Sequence, residues 1–209
     1  MKLRPFHILP AACLLWALLA GAGFAWIGRY EHRPGSSPAA PEVWPAGSWI
    51  EHAPDRPTLL MFAHPRCPCT RASLEELARL MARCGDRTRA TVVFFQPKGA
   101  GEDWKQTDLW RTASSIPGVN VQTDTDGIEA RRFHGETSGQ VLLYDTAGAL
   151  VFAGGITGSR GHEGDNAGRS ALQAVLNEGR SIQVSTPVFG CSLLNPDPQC
   201  KPTNPAPRL

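Results

Sequence analysis

The chain has 209 residues and a mass of 22.6 kDa, room for one domain or for one domain with appendages. Lys and Arg (21) nearly balance Asp and Glu (19), so no charge excess directs the chain to nucleic acid, and 42% apolar residues exclude wholesale disorder. Six cysteines are too few for a disulfide-stapled miniprotein, where about 8–10% is usual, so the fold must rest on an ordinary core.

Residues 8–27 run for twenty positions without a charge, between Lys2 and Arg4 on one side and Arg29 and Arg33 on the other. At about 1.5 Å per residue such a helix spans roughly 30 Å, the hydrocarbon thickness of a bilayer. It exceeds the 7–15 apolar residues of most signal peptides, so residues 1–30 are expected to be a retained membrane anchor, although Ala20-Gly21-Ala22 resembles a cleavage site. A short N-terminus before a long domain places residues 31–209 outside the cytoplasm, in the periplasm of a bacterial-type inner membrane. Residues 31–48 hold four prolines and are expected to form a semi-extended linker that does not pack. Residues 49–185 are the expected domain, and 186–209 a Cys- and Pro-rich tail.

Within the domain, the apolar run Thr58–Ala63, bounded by Pro57 and His64-Pro65, predicts a buried strand. Leu74, Leu77, Ala78 and Met81 recur at helical spacing, with Ser73 and Glu76 in a capping-box pattern. Ala90–Phe95 predicts a second strand, Glu102–Ser115 a helix, Val119–Thr123 a strand and Ile128–Phe133 a short helix. Val141–Tyr144 and Leu150–Phe152, joined through Gly148, predict a hairpin. A glycine-rich stretch from Gly154 to Gly168 reads as a mobile loop, since no Gly-Lys-Ser/Thr ending makes it a phosphate cradle. A last helix through Leu172 and Leu176 ends at Gly179. The order β-α-β, helical excursion, β-β-α calls for a central sheet covered on both faces.

The chemistry concentrates in Arg66-Cys67-Pro68-Cys69, where a buried strand turns into a helix. Proline suits the first helical position, which makes Cys67 the N-cap. Its sulfur then faces unsatisfied N–H groups and the positive end of the helix dipole, with Arg66 and Arg71 adding to the field. These favour thiolate over a free thiol titrating near 8.5, and thiolate is the attacking species in disulfide exchange. A Cys67–Cys69 bridge would be strained. The alternative partners for Cys67 are Cys191 and Cys200. Cys84 reads as a small core side chain and Cys13 as a thiol within the membrane.

These features resemble the thioredoxin-like superfamily: the MFAHP strand, the Cys-Pro-Cys before an amphipathic helix, and the Gln140–Val151 hairpin match over roughly residues 57–178. HPRCPCTRAS, the run from Gly154 to Asn166, and TPVFGCS are similar, more narrowly, to membrane-anchored RedB-like proteins. The resemblance implies a three-layer α/β sandwich with a central mixed sheet, helices on both faces, and one N-terminal transmembrane helix. It also implies that Gly139 stands where that family has a cis-proline, and that Arg66 stands where its usual nucleophile sits.

Three functions follow. The first is a thiol–disulfide oxidoreductase without cofactor, with Cys67 and Cys69 catalytic, Cys191 or Cys200 resolving, His64, Arg66, Pro68 and Gly139 supporting, and protein thiols as partners. The second is a copper- or zinc-handling protein, with Cys67, Cys69 and His64 as a soft ligand set. The third is a binding module whose thiols do no chemistry.

Overall fold

Apolar runs become strands that are buried from end to end because both faces of their sheet are covered. In the computed structural model, residues 8–104, 106–179 and 184–194 are described. They fall into two units, residues 1–33 and residues 34–209. The first is α1 (Ile8–Glu31), whose Leu9–Glu31 stretch has a mean hydropathy of 1.8 and is long and apolar enough to cross a membrane. Apolar side chains project all round it, Leu14, Trp16, Phe24 and Trp26 among them, so it has no polar face.

The second unit is built on β1 (Thr58–Ala63), α2 (Cys69–Cys84), β2 (Arg89–Gln96), α3 (Asp108–Ser115), β3 (Val119–Thr125), α4 (Ile128–Arg132), β4 (Gln140–Tyr144), β5 (Leu150–Gly155), α5 (Ala167–Glu178) and β6 (Val184–Ser185). The sheet order is β3-β2-β1-β4-β5-β6. Strands β1, β2 and β3 are parallel, β4 runs antiparallel to both β1 and β5, and β6 lies parallel to β5. Met61 is flanked by Val92 and Val141 at the centre of the sheet. A β-α-β unit joined to a hairpin and a closing helix on one mixed sheet is the expected thioredoxin-like fold.

Side chains alternate between two cores. Leu59, Met61, Val92, Phe94 and Val141 pack with Leu74, Leu77 and Leu80 of α2, Leu109 and Ala113 of α3, and Leu172 and Leu176 of α5. Leu60, Phe62, Val93, Leu142 and Tyr144 face the other way, where the five-residue α4 supplies the only helical cover among the described residues. The chain from Pro34 to Ile50 supplies the rest, and here the expectation of an unpacked linker is corrected. Gly35 N–H donates to Val188 O, Trp44 N–H to Gly148 O, Leu150 N–H to Glu42 O, and the Tyr144 hydroxyl to Pro41 O. Ala40 and Ile50 are buried, and Trp44 meets the rings of Phe133 and Tyr144 at 5.0 and 5.2 Å. Proline richness rules out a helix or a central strand, but not an extended strap over an apolar face.

Other expectations shift for local reasons. Ser73 and Glu76 lie inside α2 and form no capping box; Glu76 is wholly buried and binds Arg169 and Asn166. The helix expected over Glu102–Ser115 is a 3-10 turn at Glu102–Trp104 followed by α3. Thr107 starts α3 afresh by accepting the Trp110 N–H. The glycine-rich loop is tied down rather than mobile, because Gly164 N–H donates to Glu76 Oε1 and Asn166 Nδ2 donates to Glu76 Oε2. Gly179 ends α5 in the left-handed conformation (φ +64°), as its position predicts. Residues 186–194 do not form a loose tail: Val188 and Leu193 are buried, and Leu193 N–H donates to Glu136 O. Cys200 lies outside the described residues.

Candidate active site

The carboxyl end of β1 leads through a tight turn, in which Cys67 N–H donates to His64 O, into α2. Helix α2 begins at Cys69 with Pro68 (φ −62°, ψ −30°) before it, one residue later than the sequence suggests. Cys67 stays at the helix mouth, its carbonyl accepting the Thr70 N–H. The C-terminal segment arrives from the other side. Ser192 forms an antiparallel bridge with Thr137, and Ser138 N–H donates to Cys191 O at 2.8 Å. Gly190 is needed in that approach, because a Cβ there would lie 1.9 Å from Ser138 O.

The result is a cluster of three thiols. Cys67 and Cys191 sulfurs lie 2.8 Å apart, and the sulfurs of Cys67, Cys69 and Cys191 are all within 4.8 Å of one another. Cys67 is fully buried, whereas Cys69 and Cys191 are partly exposed. The Cys67 thiol is held well below the usual thiol range, chiefly by the hydrogen bond from the Cys191 thiol and then by that from Cys69, which together outweigh burial. Cys69 goes the other way: its contact with Cys191 lowers it, but the neighbouring Cys67 sulfur and burial prevail and push it up to about 11. Acidification therefore comes mainly from the other two thiols rather than from the expected arginines. The Arg66 guanidinium instead lies 4.2 Å from the Trp104 ring, and that of Arg71 pairs with Asp108.

His64 is buried on β1's trailing end. Its Nδ1 accepts the Arg66 N–H, its ring meets Trp104 edge-on, and its Nε2 is buried without a hydrogen-bond partner. Burial lowers its pKa, which favours the neutral ring. Among the described residues the group of potential metal ligands is Cys67, Cys69 and Cys191, so the third donor is a sulfur and not the imidazole. Gly139 adopts φ +90° and donates its N–H to Phe62 O; a proline would lose that bond, and no cis peptide occurs among the described residues.

Three contributors escape a reading of the sequence. The Ser138 hydroxyl accepts the His64 N–H and bonds the Thr70 hydroxyl at 2.7 Å, stitching β1's exit to α2 and to the loop before β4. Arg160 donates to Gly190 O and lowers the Cys69 thiol. A lone arginine in a glycine-rich loop was the available signal for the last; Ser138 and Thr70 carry none. A cavity of about 460 Å³ lies at the opposite ends of β2 and β3, among Arg89, Thr91, Gly118 and Gln122.

The chain resembles several solved structures. An uncharacterised conserved protein from Geobacillus kaustophilus is 17% identical, with 78% of this chain and 92% of that one covered at a TM-score of 0.55. A hypothetical protein from Sinorhizobium meliloti is 21% identical, over 78% and 94% of the two chains, at 0.52. A secreted disulfide oxidoreductase from Mycobacterium tuberculosis is 15% identical over 59% and 82%, at 0.41. No protein-family model matches the sequence, and no curated protein does.

Proposed function

We propose that the protein is a membrane-anchored thiol–disulfide oxidoreductase whose fold presents Cys67, Cys69 and Cys191 as one exchange centre on the extracytoplasmic side. The observation that carries this reading is the 2.8 Å approach of the Cys191 sulfur to an acidified Cys67. A bond between them requires the two sulfurs to close to about 2.05 Å, a small movement between a helix mouth and a segment held by backbone hydrogen bonds. The competing Cys67–Cys69 bridge would span a single intervening residue and be strained, whereas the Cys191 sulfur already lies 2.8 Å from that of Cys67, so Cys67–Cys191 is taken as the oxidised pair and Cys69 as a third thiol. Single-pass anchoring by α1 and kinship with RedB-like proteins are supported by the apolar span and by HPRCPCTRAS and TPVFGCS.

The test uses the full chain in detergent. Reduction of insulin disulfides with a dithiol donor should proceed and should fall at least about tenfold in Cys67→Ser. Equal activity in that variant overturns the reading.

A second reading is favoured by the same three sulfurs. The three sulfurs lie within 4.8 Å of one another, a soft set that suits Cu(I) or Zn with metal–sulfur bonds of about 2.3 Å, and Cys67 and Cys191 need only spread by about 1 Å. Copper retained against a chelator, lost in Cys191→Ser and kept in His64→Ala, supports it.

A further inference from the structure

Resting on the exchange reading, the geometry points to a particular polarity at this centre. We infer that an incoming thiolate attacks Cys191, that Cys67 is the sulfur that departs, and that the mixed disulfide of turnover is therefore carried by the C-terminal segment.

Access comes first. Cys67 has no exposed surface, whereas Cys191 is partly exposed and lines a cavity of about 220 Å³ together with Ser36, Glu136, Thr137, Arg160 and Ser192. A smaller hollow of about 190 Å³ between Arg66, Pro68, Arg71 and Leu109 reaches the Cys67 residue, yet leaves it wholly covered.

Backbone pairing closes the other route. An extended peptide could reach Cys67 by adding a strand to residues 136–138, the edge that precedes β4. That edge is already paired with the chain itself: Leu193 N–H donates to Glu136 O, Ser138 N–H donates to Cys191 O, and Thr137 is bridged to Ser192. The segment is not lightly held, because Leu193 and Val188 are buried, Gly35 N–H caps Val188 O and Arg160 caps Gly190 O. The chain has thus built in the peptide that a partner would otherwise contribute, and Cys191 is the member of the pair that stays partly exposed. A cavity of this size takes a cysteine side chain on a turn or terminus, or a small thiol, rather than a strand.

The leaving side fits as well. The departing Cys67 sulfur stays buried at the mouth of α2, within 4.8 Å of the Cys69 sulfur, where the positive end of the helix favours the charge it takes up. In the first step the partner's thiolate bonds to the Cys191 sulfur, the Cys67–Cys191 bond breaks, and its electron pair stays on Cys67. In the second step the partner's other thiol displaces Cys191 from the mixed disulfide. The partner dithiol becomes a disulfide, its two electrons pass to the pair, Cys67 is left as the thiolate, Cys191 takes the proton of the partner's second thiol, and a disulfide such as oxidised glutathione restores the pair. The centre is an acceptor of electrons from dithiols.

The experiment is adduct mapping on the wild-type full chain in detergent. The chain is oxidised with oxidised glutathione, its Cys67–Cys191 link is verified by peptide mass, and it is then pulsed with reduced glutathione, quenched in acid and mapped. Glutathione should sit on Cys191 with at least about tenfold preference over Cys67. Single variants give an independent reading: Cys191 in Cys67→Ser should react with a chromogenic disulfide at least about tenfold faster than Cys67 in Cys191→Ser. Glutathione on Cys67, or equal rates in the two variants, overturns the polarity while leaving exchange intact. Failure of the Cys67–Cys191 link to form removes the exchange reading of that pair and this inference with it.

Discussion

At the level of single residues, the centre is governed by what surrounds one sulfur. Cys67 is buried, which alone would raise its pKa, but thiols donating from Cys191 and Cys69 reverse the sign. The reduced folded chain therefore releases a proton that the unfolded chain keeps until about pH 8.5. Stability rises with pH wherever the unfolded state holds more protons, here from the lowered folded value up to that point, at up to about 1.4 kcal/mol per pH unit. It is lost again as the pH falls through the folded value. Cys69 is shifted upward, so its own contribution lies above about pH 8.5 and leaves the neutral window untouched. Urea melts of the reduced full chain at about pH 6 and pH 8, run beside Cys67→Ser, should show the wild-type advantage growing by more than about 1 kcal/mol at the higher pH. A constant difference would mean that Cys67 stays protonated.

Among the elements, α2 carries both ends of the design. Its mouth holds the thiols, and two turns further on Glu76 anchors the loop that bears Arg160. The Glu76 carboxylate is wholly buried between Arg169 Nε at 3.1 Å, Asn166 Nδ2 at 3.1 Å and Gly164 N–H at 2.8 Å. Glu76→Gln preserves shape but leaves Arg169 with only the exposed Asp165 as counter-charge, and breaking the buried pair costs about 3–5 kcal/mol. Equilibrium unfolding should register that loss, and Arg169→Met added to it should recover part; additive losses would show the two side chains to be uncoupled.

Such a clamp marks where sequence legibility stops. Strands β1, β2, β4 and β5 announce themselves as apolar runs between prolines and glycines, and α5 by its spacing and Gly179. The Cys67 and Cys69 half of the site is equally local. Cys191 is not, because nothing in Thr186–Ser192 is periodic. Its place is fixed by a bridge to Thr137, 55 positions earlier, and by the close fit of Gly190 to Ser138 O. Glu76 misled for the same reason: a helix-start pattern in sequence was outweighed by a buried arginine 93 positions away.

Over the whole molecule, the two faces of the sheet are unequally provided. Helices α2, α3 and α5 cover one, while α4 alone cannot cover Leu60, Phe62, Leu142 and Tyr144 on the other. The extended strap from Pro34 to Ile50 fills that deficit, so residues that look like a spacer belong to the folding unit. Trp44 is its main anchor, packed on Phe133, Tyr144 and, at 4.9 Å, His52. The strap also borders the thiols, since Gly35 binds Val188 O and the Thr137 hydroxyl donates to Ser36 O. A chain beginning at Pro34 retains every one of these contacts and should keep the cooperative unfolding of the second unit. Starting at Pro45 removes the strap's hydrogen bonds together with the buried part of an indole, whose loss alone is worth about 3 kcal/mol. At about 2–4 °C per kcal/mol for a domain of this size, the melting temperature should fall by about 6 °C or more. Because the same cut unseats Gly35 from the Cys191 segment, the rate of Cys67–Cys191 bond formation should fall with it. Equal melting temperatures for the two truncations would show that the strap adds nothing to the fold.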